Sequence, residues 1–207
     1  MKNKYIFPFK PKWVVYMSRL EHDVKKVREQ IKKGPADTLI SQKPFADGMY
    51  HFSMFMIGYY SRVKKELNLD YDSFMIVQTT VSHALYALKK KKNNTNYEEL
   101  EGAWLELVKE KKISSIFDGL SANKDNRLSV SSICLVTGLP KETVRRKVSE
   151  LTASHILKNS KKNGVILGSQ YSSIFRAFVP ETVMQVSRLL KIWEKNGIIK
   201  NLISFKT

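Results

Sequence analysis

Acidic side chains are scarce in this chain. Asp and Glu number 19 of 207 residues against 36 Lys and Arg, which gives a formal net charge of +17 and a pI near 9.8. An ordinary metabolic-enzyme surface does not carry that excess, so a polyanionic partner is implied. Cysteine is nearly absent. Cys134 stands alone, which excludes an intramolecular disulfide framework and a zinc site built on several thiolates, and fits a reducing cytoplasm. Long apolar runs are missing too. The most apolar stretch, Phe52 to Tyr60, is far shorter than the ~18–20 residues a spanning helix needs. The segment from Met1 to Trp13 is basic and aromatic but lacks the continuous apolar core of a signal peptide. These absences lead us to expect a cytoplasmic, nucleoid-associated protein with no membrane partner.

Catalytic signatures are lacking as well. There is no phosphate-binding G-x-x-x-x-G-K-[ST], no dinucleotide G-x-G-x-x-G, no H-E-x-x-H and no G-x-S-x-G elbow. His22, His51, His83 and His155 are scattered without metal-ligand spacing. We therefore expect no enzymatic activity, no cofactor and no metal.

What the chain does have is apolar content of 43%, enough for a packed core and too much for wholesale disorder. Its charge is uneven. Residues 1–50 hold 11 basic and 5 acidic side chains, residues 51–120 hold 10 and 9, residues 121–170 hold 9 and 3, and residues 171–207 hold 6 and 2. A nearly neutral, apolar middle suits a core or a subunit contact, and the basic flanks are the candidate polyanion surface.

Along the chain, Pro8 and Pro11 delay any helix, and Tyr5, Ile6, Phe7 and Phe9 suit a strap packed on the body or a flexible arm. Val14, Met17, Leu20, Val24, Val27 and Ile31 then form a narrow helical seam that Gly34-Pro35 ends, suited to core packing or to a dimer interface. Residues 35–44 read as a loop. Phe45 to Leu67 predicts a helix dense in Met and aromatic residues and apolar nearly all round. It should be buried on several sides, in a core, a dimer interface or an effector pocket with adaptable Met walls. Asp70-Tyr71-Asp72 caps a further helix with the seam Phe74, Val77, Val81, Ala84 and Leu88. After the breaker at Asn93–Asn96, Tyr97, Leu100, Trp104, Leu107 and Val108 mark another helix, to about Lys112. Near the carboxyl end, Pro180 precedes a predicted helix from Glu181 to Asn196 with Val183, Val186, Leu190 and Trp193 on its apolar face, and Gly197 ends it. Ile198, Ile199, Leu202, Ile203 and Phe205 form an apolar tail expected to dock on the body.

Residues 127–168 carry the most information. Ser129 can cap a short helix over Val130 to Thr137, Gly138 fits its left-handed carboxyl cap, and Leu139-Pro140 turns the chain into a second helix from Lys141 to about Ser154. Val144, Val148 and Leu151 point that second helix inward toward Ile133 and Val136. Two short apolar runs, Ile156-Leu157 and Val165-Ile166-Leu167, flank a lysine-rich tip with Asn163-Gly164 as the hairpin turn signal. A short helix, a glycine turn, a basic second helix and a basic hairpin make a winged helix-turn-helix.

The run S-x-x-x-x-x-x-x-T-G-L-P-K-E-T-V-R-R-K-V-x-x-L, from Ser129 to Leu151, resembles the winged helix-turn-helix of bacterial transcription regulators of the broad MarR and GntR type. It departs at Cys134, where alanine is usual, and at Lys147, where many non-winged motifs hold an apolar residue. The resemblance implies DNA binding, and it implies that a helix after the wing joins amino-terminal helices in a dimer. It covers about 42 of the 207 residues.

With Val144 at the centre of the buried stripe, Glu142, Arg146, Ser149 and Ala153 face away from the core, flanked by Arg145 and Thr143. Arg145 and Arg146 suit bidentate pairing with guanine edges, and Lys141 and Thr143 suit bases or phosphates. Glu142 suits a cytosine amine or the helix start, and Lys158, Lys161 and Lys162 of the wing suit phosphates or the minor groove. Cys134 is either a small packed residue or, near the arginines, an activated thiol. The expected architecture is mainly α. A helical dimerisation or sensing region spans residues 1–112, a winged helix-turn-helix spans 113–170 and a carboxyl-terminal helix spans 171–207. The expected function is that of a sequence-specific double-stranded DNA-binding transcription regulator, a homodimer, with a small-molecule effector left open. A replication initiator, an architectural DNA-binding protein and a winged-helix protein-interaction module are the alternatives.

Overall fold

The computed structural model describes residues 43–91, 101, 102, 105 and 127–204. The amino-terminal strap, the seam from Val14 to Ile31, most of the expected loop at 35–44, the breaker and most of the helix from Asn93 to Lys112, and Phe205 lie outside the described residues. What is described is mainly helical, with one small two-stranded antiparallel sheet. The order is α1 (Lys43–Glu66), α2 (Tyr71–Lys91), α3 (Val130–Thr137), α4 (Lys141–Ala153), β1 (Leu157–Ser160), β2 (Gly164–Leu167), α5 (Tyr171–Lys195) and α6 (Ile198–Ser204). No helix among the described residues is long and apolar enough to cross a membrane. Two compact units emerge. One holds residues 72–172 as described, and the other holds 43–71 and 173–204.

In the first unit, α2 buries two adjacent seams. Phe74, Val77, Ala84 and Leu88 lie on one, as the spacing predicts, although Val81 of that seam is only half-buried, and Ile76, Thr80, His83 and Ala87 lie on the other. Thr80 fits this dry face because its hydroxyl donates back to the Ile76 carbonyl at 2.9 Å. Among the described residues, the remainder of the unit is chiefly the α3–α4 pair and the hairpin behind it. Ile133, Val144, Val148 and Leu151 are buried with Leu157, Val165, Ile166 and Leu167, so one apolar layer lies between the helices and the strands.

In the second unit, α1 and α5 run antiparallel. Phe52 meets Trp193 with ring centroids 6.2 Å apart, and Tyr59 meets Phe178 edge-on at 5.3 Å. Trp193 Nε1 donates to the Gly48 carbonyl at 3.2 Å, and Asn196 donates to the Asp47 carboxylate. Ile198, at the start of α6, is buried while Ile203 is 79% exposed, so only the first part of the expected apolar tail docks.

Arg62 ties these helices together. It is buried at 8% exposure, its guanidinium carbon lies 4.4 Å over the Phe178 ring, and Nη2 donates to the Phe178 carbonyl at 2.9 Å and to Thr182 Oγ1 at 3.2 Å. Glu66 lies 3.3 Å and Glu181 3.5 Å from other guanidinium nitrogens. A buried cation needs compensation of this kind, supplied here by a ring face, a carbonyl and two carboxylates.

Two sequence expectations change. Pro180 does not precede a helix but sits inside α5, which starts nine residues earlier at Tyr171. An interior proline costs ~3 kcal/mol through its lost N–H and its clash with the preceding turn. Its ring is exposed, whereas Tyr171, Ser172 and Phe178 upstream are buried, and burial of that face outweighs the penalty. The second change concerns α1, which is not buried on several sides. The face turned away from α5 exposes Tyr50 at 61%, Met54 at 50% and Ile57 at 64%.

Replacing Arg62 by alanine should lower stability by about 2–3 kcal/mol, because it removes a cation–π contact and two hydrogen bonds and leaves a hole beside Phe178. Urea unfolding monitored by tryptophan fluorescence measures this, and a loss below about 0.5 kcal/mol would show the network to be incidental.

Candidate nucleic-acid interface

α3 starts where Ser129 Oγ accepts from the Ser132 amide at 3.0 Å, an N-cap that satisfies an otherwise orphaned donor. It ends at Gly138 with φ of 72°, a left-handed cap whose amide donates to the Cys134 carbonyl at 2.9 Å. Thr137 reinforces the end, as its hydroxyl donates to Ile133 O and accepts from the Leu139 amide. Pro140 stands at the N-cap of α4, without a side-chain cap, and Glu142 supplies the acidic charge that suits a helix start.

α4 ends in a Schellman turn. The Ile156 amide reaches back to Leu151 O at 3.0 Å and the His155 amide to Thr152 O at 3.0 Å. The left-handed position that usually takes glycine is His155, at φ 59°. This reversal delivers the chain directly into β1.

The hairpin pairs Leu157 with Leu167, Lys158 with Ile166, Asn159 with Val165 and Ser160 with Gly164. Asn163-Gly164 is not a two-residue turn, since that form needs a positive φ at both positions and Asn163 has none. Lys161, Lys162 and Asn163 form a three-residue loop instead, closed by the Asn163 amide on Ser160 Oγ at 3.0 Å, and Gly164 at φ 70° is the left-handed residue that follows.

A third segment joins the sheet. Leu128 bridges Gly164 in parallel, and its carbonyl accepts the Val165 amide at 2.8 Å. A Cβ at Gly164 would collide with that carbonyl oxygen, so both φ and space require glycine there. One residue earlier, Arg127 Nη1 donates to the carbonyls of Lys161 at 2.6 Å and Lys162 at 3.2 Å, which braces the loop tip from outside.

Every residue named from the sequence falls on these elements. Glu142, Arg146 and Ser149 are exposed on the face of α4 opposite the stripe of Val144, Val148 and Leu151, Arg145 is exposed beside them, Lys141 is exposed in the first turn, and Thr143 is half-buried. Lys158, Lys161 and Lys162 are exposed on the hairpin. The arginines do not project alone. Arg145 Nη2 meets Glu142 Oε1 at 3.0 Å and Arg146 Nη1 meets Glu150 Oε1 at 2.7 Å. Exposed pairs of this kind add only ~0–1 kcal/mol to stability. Sequence reasoning missed Arg127 and Glu150. Glu150 was visible in principle as the i+4 partner of Arg146. Arg127 was not, because its role depends on the Leu128 bridge, a contact between distant segments.

Burial raises the Cys134 thiol pKa, and the helix backbone and Lys141 oppose that only in part. An activated thiolate is therefore not favoured, and the small-packed-residue reading fits better. No group of three or more His, Cys, Asp or Glu that could hold a metal occurs among the described residues. In the other unit, a cleft of about 500 Å³ at the end of α1 is lined by Tyr60, Val63, Lys64, Asn68, Leu69, Asp70 and Tyr71. The methionines of α1 take no part in it, so it is not the Met-walled effector pocket considered from the sequence.

Comparison of the chain with models of known families, with curated proteins and with solved structures gave no match.

Gly164→Ala should cost about 2–3 kcal/mol, the left-handed penalty adding to the clash with Leu128, and should detach the hairpin. Thermal melting and amide exchange at Val165 measure both effects. Because burial raises its pKa, Cys134 should alkylate with iodoacetamide more slowly than a model thiol at pH 7.5, and its rate should level off at a higher pH than the model thiol's. A faster rate at pH 7.5 would restore the sensor reading.

Proposed function

We propose that the chain is a sequence-specific double-stranded DNA-binding protein, a transcription regulator that acts as a homodimer, and that residues 127–168 form its winged helix-turn-helix. The observation that carries this reading is the division of α4 into two faces. The hairpin and α3 cover Val144, Val148 and Leu151, while the opposite face presents Arg145, Arg146 and Ser149 to solvent. A helix whose inner face is closed and whose outer face is basic and polar suits insertion into a major groove. The exposed lysines of a braced hairpin suit phosphates beside it.

The carboxylates argue for selectivity within this reading. A purely architectural binder gains from an unbroken basic face. Here Glu142 and Glu150 stand exposed among the cations of α4, where they penalise indiscriminate phosphate contact and favour a face that reads base edges. The homodimer draws support from α1, whose outer face leaves Tyr50, Met54 and Ile57 exposed. Side chains of that size contribute on the order of 100 Å² each, which suits the apolar centre of a subunit contact with a polar rim. Two copies would set their α4 helices in successive major grooves about 34 Å apart.

Selection of bound duplexes from a random pool tests the reading. A recovered motif with two-fold symmetry supports it, and recovery without sequence preference, or no binding at ~50 mM salt, overturns it. On the selected site, Arg146→Ala should weaken binding by ~1–3 kcal/mol and relax one base position, while Lys161→Ala with Lys162→Ala should weaken all sequences alike and lower the salt slope by about 1–2.

A further inference from the structure

Lys147 is the anomaly on α4. Four basic residues lie on this helix, and three of them, Lys141, Arg145 and Arg146, are exposed, whereas Lys147 is buried. Its side chain, 11% exposed, lies in line with the inward stripe, and its ammonium nitrogen is 3.4 Å from Glu150 Oε2. The other oxygen of the same carboxylate, Oε1, is 2.7 Å from Arg146 Nη1. One carboxylate thus joins a largely buried lysine to an arginine that faces solvent.

We propose that Lys147 and Glu150 are positioning residues that set the pose of Arg146 for base recognition. The proposal rests on the DNA-binding reading given above. A solvent-exposed arginine samples many rotamers, and each it must abandon on binding weakens the bidentate contact that discriminates guanine. Glu150 limits that sampling, and it can do so because Lys147, held by the packing of α4, fixes the carboxylate in turn. One of the five N–H donors of Arg146 is engaged, so the two-donor edge needed for a guanine stays available. Arg145 lacks such a relay. Its partner Glu142 is itself 76% exposed and pairs with no second cation among the described contacts. Arg146 is accordingly the residue that specifies, and Arg145 the more adaptable contact.

This separates from simple electrostatics by sign. If Glu150 only repelled phosphate, Glu150→Gln would tighten specific and non-specific binding equally. A positioning role requires that Glu150→Gln tighten non-specific binding about two- to threefold and lower the specific-to-non-specific ratio about tenfold. Lys147→Met, which keeps the buried stem, should lower the ratio about threefold in the same direction. The experiment measures Kd values of the full chain for its selected duplex and for a scrambled duplex. In parallel, ¹⁵N relaxation at Arg146 Nε without DNA should show an ordered side chain that loosens in both variants. Unchanged ratios in folded variants, or an Arg146 Nε equally mobile in all three proteins, would overturn the relay while leaving the DNA-binding reading intact. Absence of any sequence preference in the unsubstituted chain would overturn that reading first.

Discussion

The contact between Leu128 and Gly164 is one parallel bridge and one hydrogen bond, yet the candidate interface depends on it. A two-stranded hairpin is marginal in water, and a third segment on its edge gives it a fixed partner. Leu128 also precedes the cap of α3 by one residue, so the bridge ties the start of the helix pair to the end of the hairpin. Arg127 gains its reach to the loop carbonyls only from that register. The requirement for glycine at position 164 follows from the same approach, since Leu128 O occupies the space a side chain would need.

On this frame, electrostatics is arranged locally rather than by total charge. The net charge of +17 describes the chain's attraction to any polyanion and says nothing of where it would dock. α4 itself carries four basic and two acidic residues, and the acids are paired to the arginines. Such pairing adds little to stability at these exposures. On the proposed reading, what it changes is the cost of the wrong encounter: bare phosphate would compete with Glu142 and Glu150 for the same guanidinium groups, and a base edge that offers two aligned acceptors would gain more from a guanidinium already held in place.

The short elements were legible in the sequence because their signals are local. Ser129, Gly138 and the stripe of Val144, Val148 and Leu151 each act within a few residues, and the helices and strands stand where those signals put them. The failures came where distant segments decide. Pro180 reads as a helix start, but burial of Tyr171 and Phe178 carries the helix through it. Asn163-Gly164 marks the hairpin, but which residues form its loop is decided by Leu128, which fixes Gly164 as a paired residue. Arg62 was not singled out, because an i+4 glutamate on a lysine-rich helix end looks like an ordinary surface pair until Phe178 covers it.

The two units differ in what their surfaces ask for. The face of α4 is polar and charged, and it is compatible with water in the absence of a ligand. The outer face of α1 is apolar, and exposed Tyr50, Met54 and Ile57 on consecutive turns carry a hydration cost that a partner surface would remove. In a homodimer that cost would be set against the repulsion of two strongly basic chains, which added salt screens. Phosphate neutralisation along a duplex lowers the same repulsion, so on the proposed reading DNA and the second copy would favour each other without any change of shape in either unit.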